Sequence, residues 1–247
     1  MAPHSRGSTA LLTVNNAAYT PRSPKPVQTA PRRTPQQNLW HEIRRLMPGR
    51  AVLPDSFIYK RVELGCITPL RAHIVTHLRT RCPIANDGRL VAETHRLVYI
   101  PASLDGENTS IQRLRAFAAE QGGNYLPLFS YFSGVNAERF ERAAIERGLW
   151  VLEYTDLAPQ STCFSDGAPA APGYRTARAI EHIGVMILSA LQHGERLFPS
   201  SYGRTADLFA SGEPVCAGNL HGARPIAPNS ALHRARVGRV VVWSPTR

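Results

Sequence analysis

Four side chains suited to zinc stand close together in this 247-residue chain: Cys66, His73, His77 and Cys82, spaced C-x6-H-x3-H-x4-C. On a helix opening at Thr68, His73 and His77 fall one turn apart on one face, where two imidazoles can share a metal ion. The spacing argues against a metal. Structural zinc sites usually draw two ligands from a tight C-x2-4-C turn, and both histidines border the Leu70/Ile74 stripe, where half-burial accounts for them. Neither a metal nor any other cofactor is expected.

Other catalytic signatures are fragmentary. A zinc deaminase joins H-x-E or C-x-E to P-C-x-x-C, but Pro214-Val215-Cys216 lacks a second cysteine and His193-Gly194-Glu195 lies upstream of it. Gly122-Gly123 follows an expected helix instead of linking strand to helix, so it is no phosphate loop, and there is no G-x-S-x-G elbow. Ser103, Asp105, Ser130, Ser133 and Asp156 follow expected strands, where open α/β sheets place ligands, and His182 could serve them as a base. Turn formation and helix capping explain the same Ser and Asp residues without chemistry.

Arginine carries the stronger signal. Of 29 basic residues only Lys25 and Lys60 are lysines, and the surplus charge lies at the two ends. Residues 1–50 hold eight Arg/Lys and one acid, Glu42; residues 214–247 hold five Arg and no acid; residues 51–213 are balanced at sixteen basic to seventeen acidic. Folding a core does not require charge placed this way, so it points to a polyanion, nucleic acid ahead of an anionic membrane. The planar guanidinium suits phosphate and bases, although a GC-rich genome would also favour Arg. The residues assigned to nucleic acid are Arg22, Lys25, Arg32 and Arg33 in the amino-terminal arm and Arg44 and Arg45 on the first helix. Beyond the middle of the chain they are Arg196, Tyr202 and Arg204, then Arg224, Arg234, Arg236 and Arg239. Tyr202 is the aromatic expected at the surface, where it could stack on a base.

These residues need a frame. Residues 1–36, rich in Pro, Ser and Thr without apolar periodicity, read as a disordered basic arm before one globular domain spanning 37–247. Helices are expected from Gln37 to Met47, from Thr68 toward Pro83, over Ser110–Gln121, from Asn136 to Arg147 and over Thr176–Gln192. Strands are expected at Ser56–Gly65, Thr94–Ile100, Tyr125–Tyr131, Leu149–Tyr154 and Val237–Trp243, with turns at Asp87-Gly88 and Asp105-Gly106. Residues 197–236 read as irregular apart from a short helix at Thr205–Ala210. This alternation predicts an α/β or α+β domain with helices packed on one mixed sheet. No apolar run is long enough to span a bilayer. Four sparse cysteines suit a reducing setting, so an intracellular, cytoplasmic or virion-associated protein is expected.

In composition, the acid-free Pro/Arg arm (Arg22-Ser-Pro-Lys-Pro26, Pro31-Arg-Arg-Thr-Pro35) and the abundance of Pro, Ala and Ser resemble the proline-alanine-serine-rich proteins of polymycoviruses. That resemblance implies a protein that coats viral double-stranded RNA. The chain is also similar to viral coat proteins in which a basic arm precedes a folded shell. The expected function is an RNA-binding structural or packaging protein that associates with itself. The alternatives are an effector enzyme using Asp105, Asp156 and His182, and a subunit of a ribonucleoprotein assembly.

Overall fold

Thr34-Pro35 starts the first helix, α1 (Pro35–Leu46), a little before the expected Gln37. The Thr34 hydroxyl accepts from Gln37 N and the Gln37 side-chain Oε1 accepts from Thr34 N, a reciprocal capping box with proline in the first turn. Trp40, Ile43 and Met47 bury one stripe of this helix. The computed structural model describes residues 33–58, 62–121, 139–161, 171–218, 226–228 and 236–243. Most of the expected arm, the aromatic strand at Tyr125–Tyr131, and Ser130, Ser133, Asn136 and Cys163 lie outside the described residues.

The described secondary structure continues through β1 (Ala51–Val52), α2 (Pro54–Ile58), α3 (His73–Leu78), α4 (Val91–Thr94) and β2 (His95–Ile100). Next come the hairpin strands β3 (Ser103–Leu104) and β4 (Glu107–Asn108), α5 (Ile111–Glu120), α6 (Arg139–Arg142), β5 (Leu149–Tyr154), β6 (Tyr174–Thr176) and α7 (Ala179–His193). The chain finishes with β7 (Ser201–Leu208), β8 (Pro214–Gly218), β9 (Ile226–Pro228), β10 (Arg236–Arg239) and β11 (Val241–Trp243). The domain is mixed α and β, as its alternating pattern predicts. Its strands form two mixed sheets and a hairpin where the sequence reading expects a single sheet.

The first sheet runs β1-β2-β5-β11-β6, parallel only between β1 and β2. The second runs β10-β7-β8-β9, parallel only between β10 and β7. Strand alternation divides the core in two. Leu97, Tyr99, Trp150, Leu152 and Val241 face α1 and α3, while Val98, Ile100, Val151 and Val242 face α5 and α7. Helix α7 contacts strands of both sheets, and its residues from Ala179 to Ala190 are all buried, which explains why it is apolar around its circumference. Gly194, left-handed at φ 67°, ends it.

Several boundaries differ from expectation for identifiable reasons. The strand expected at Ser56–Gly65 is instead α2 followed by a bridge between Leu64 and Leu104, because Pro54 and Asp55 are helix-start residues. The helix expected from Thr68 opens only at His73, since Thr68 donates its N–H to the Tyr99 hydroxyl and accepts from the Trp150 indole, which holds it extended against the sheet. Helix α6 stops at Arg142, short of the expected Arg147, and leaves Ala143 and Ala144 exposed. The expected irregular segment and its Thr205–Ala210 helix are instead β7 to β9, with the Thr205 hydroxyl donating to Val215 O across the pair. The run Val237–Trp243 breaks at Val240, giving β10 to one sheet and β11 to the other. Ser110 caps α5 as expected, and Asp105-Gly106 turns the β3–β4 hairpin with φ of 52° and 81°, the left-handed pair that such a tight turn requires. Among the described residues no helix is long and apolar enough to cross a membrane.

Candidate anion-binding cleft

The start of β5 carries a close approach between chain segments. A Cβ on Gly148 would lie 2.1 Å from the Tyr99 hydroxyl, so only glycine lets residues 147–148 pass over that ring. Tyr99 and Trp150 pack with ring centroids 4.8 Å apart. Their polar ends grip Thr68, with Thr68 N 3.2 Å from the Tyr99 hydroxyl and the Trp150 indole N–H donating to Thr68 O over 2.7 Å. The segment leading to Arg71 is thereby fixed beside Arg147.

Arg175 on β6 and Arg178 at the start of α7 complete a cleft of about 350 Å3 with Arg71 and Arg147. Glu181, in the first turn of α7, organises this side. Its carboxylate accepts from Arg175 Nη1 at 2.7 Å and Nη2 at 2.5 Å, from the Arg178 amide at 2.8 Å, and from Arg178 Nη2 at 3.5 Å. Burial alone would push the Glu181 carboxyl up, but the hydrogen bonds from Arg175 and the Arg178 amide outweigh it and hold the group below the usual carboxylate range. Its hydrogen bond with Arg175 raises that guanidinium further. Arg71 and Arg147 are exposed, and among the described residues no carboxylate pairs with either. Four guanidiniums against one carboxylate give the cleft a formal charge of +3. Such a lining can hold phosphate or carboxylate anions through paired, charge-assisted hydrogen bonds.

None of these four arginines is among those assigned from the sequence. They lie in the stretch 51–213, whose charges cancel along the chain but not in space. The legible signal was Arg178-x-x-Glu181, a helix-start pattern following another arginine at Arg175.

The residues assigned from sequence are dispersed. Arg33 and Arg45 are exposed, Arg44 pairs with Asp55, and Arg236 pairs with Asp156 at 3.3 Å. Arg196 and Arg204 are half-buried. Tyr202, on the inner strand β7, is not at the surface but 5% exposed, and Arg239, on β10, is buried too. Arg22, Lys25, Arg32, Arg224 and Arg234 lie outside the described residues.

The expected catalytic set does not assemble. β2 and β5 are antiparallel, so Asp105, beyond Ile100, and Asp156, beyond Tyr154, leave opposite ends of six-residue strands, about 20 Å apart by strand rise. Asp105 accepts from Glu63 N and pairs with Arg113 at 3.7 Å. His182 is fully buried, its Nδ1 3.1 Å from both Glu153 carboxylate oxygens and its Nε2 3.1 Å from Ala217 O. Burial pushes the Glu153 carboxyl up, and His182 opposes that shift.

Three of the four zinc-like residues serve packing. His77 stacks on Trp243 with centroids 4.0 Å apart, His73 meets the same indole edge-on, and the Cys82 sulfur accepts from Ile84 N and Ala85 N. Cys66 is exposed. Among the described residues no three His, Cys, Asp or Glu side chains converge to hold a metal ion. His193 contacts Ala51 O, Glu195 pairs with Arg96, and Cys216 is buried in β8, so the deaminase-like fragments have separate structural roles. Comparison with protein families, curated proteins and solved structures finds no match to this chain.

Proposed function

We propose that the protein binds nucleic acid, RNA in particular, as a structural or packaging component that associates with itself along the polymer. The charge at both ends of the chain carries this reading, with eight Arg/Lys against one acid in residues 1–50 and five Arg and no acid in residues 214–247. The cleft adds a fixed cationic site, where four arginines are held around one pocket by Thr68, Gly148 and Glu181, and two of them lack a carboxylate partner among the described residues. Arginine at every cationic position of the cleft suits phosphate, and phosphate contacts orient a polymer without reading its bases. The compositional likeness to polymycovirus coating proteins supports a role in an intracellular or virion-associated particle.

The test is RNA binding across a salt series, followed by electron microscopy of the complexes. Affinity falls steeply with salt because bound phosphates release counterions, and assemblies lengthen with the RNA. Absence of binding at low salt would remove the proposal.

A further inference from the structure

We infer that the arginine cleft is a receptor for a phosphomonoester, the terminal phosphate of a single RNA strand. This deepens the RNA reading and rests on it only for the identity of the polymer.

Shape is the first argument. A cleft of about 350 Å3 is the size of a small-ligand pocket and admits one phosphorylated group, whereas a duplex presents its phosphates on a convex surface too broad to enter. The second argument is charge. A phosphodiester carries a single negative charge, and a terminal phosphate at neutral pH carries about two, which better matches a lining of +3.

Donor geometry is the third. Glu181 engages both terminal nitrogens of Arg175, so that guanidinium is fixed and supplies field, while Arg71 and Arg147 keep their forks for a ligand. The lining is also poor in means of reading a base. Trp150, the aromatic residue beside the cleft, is 4% exposed and gives its indole N–H to Thr68 O. Recognition is of the phosphate, independent of the nucleotide that bears it.

The experiment uses the full chain and short oligoribonucleotides of one sequence ending in a 5′-phosphate, a 3′-phosphate or hydroxyls only, with binding read by fluorescence anisotropy. Thermal shift with adenosine 5′-monophosphate and with inorganic phosphate runs in parallel. A phosphate end tightens binding on the order of tenfold, the worth of one charge-assisted contact. The pair Arg71→Ala and Arg147→Ala abolishes that preference, and Arg71→Lys with Arg147→Lys, which keeps charge and fold but loses the forks, weakens it. Equal binding of all three ends, or a preference that survives the alanine pair, overturns the inference while leaving general RNA binding intact. The opposite split is also readable. If no RNA binds but the monophosphate stabilises the wild-type chain and not the alanine pair, the pocket stands and the RNA reading falls.

Discussion

His182 and Glu153 meet across the seam between α7 and β5 with Nδ1 3.1 Å from both carboxylate oxygens, in a site sealed from solvent. Both ring nitrogens face acceptors, because Nε2 lies 3.1 Å from Ala217 O. Each side chain is therefore the other's buried polar partner, and deleting either member strands the other. Glu153→Leu or His182→Leu alone should destabilise the fold by about 3 kcal/mol, whereas the double replacement should recover much of that loss. Urea unfolding of the four chains gives the coupling, and additive effects would contradict it.

Acid should weaken the fold through the histidines on the other face of the first sheet. Burial lowers His95 from 6.5 to about 3, and burial with the neighbouring His73 also lowers His77. The unfolded chain binds protons that native His95 refuses, so stability rises with pH between about 3 and 6.5 and falls as pH drops through that window. The His95 contribution is at most on the order of 5 kcal/mol. Glu153 acts with the opposite sign, since a raised carboxyl favours the fold at acid pH and loses that contribution as pH climbs through its native value. The thermal midpoint should drop between neutral and mildly acidic buffer, and His95→Gln should flatten the profile.

Gly203 permits the contact between β7 and the buried imidazole. A Cβ there would lie 2.1 Å from Val240 Cγ2 and 2.6 Å from His182 Nε2, and the imidazole is locked by its two partners. Gly203→Ala should cost about 2 kcal/mol by overpacking. Adding Val240→Ala should restore part of that stability, measured as the shift in urea midpoint.

The start of α1 depends on one hydroxyl. Thr34→Ala removes the acceptor for Gln37 N and should lower stability by about 1 kcal/mol, while Thr34→Ser should be close to neutral. A variant shortened to begin at Gln37, the boundary that composition suggests, should show at least the loss of Thr34→Ala.

Local signals were legible and non-local ones were not. The Ser110 cap, the Asp105-Gly106 turn, the all-round apolar α7 and the strands β2 and β5 follow from residues adjacent in sequence. β7 and β8 contain Gly203, Ala206, Pro214, Ala217 and Gly218, residues of weak strand preference, and exist because they pair with each other and pack beneath α7. Thr68 carried a helix-start pattern that two ring partners, Tyr99 and Trp150, overrode. The cleft was hidden for a different reason. Summing charge along residues 51–213 cancels Arg71 and Arg147 against acids such as Glu107 and Glu120, which pair elsewhere with Arg113.

The division of Val237–Trp243 between two sheets sets an order of events during synthesis. Among the described residues β5 and β6 are joined only through β11, so from the time Thr176 leaves the ribosome until Val241 to Trp243 follow, both lack that partner strand. Open edges in a growing chain recruit other strands. The interval during which these strands lack their shared partner is the whole time it takes to translate α7 and the second sheet.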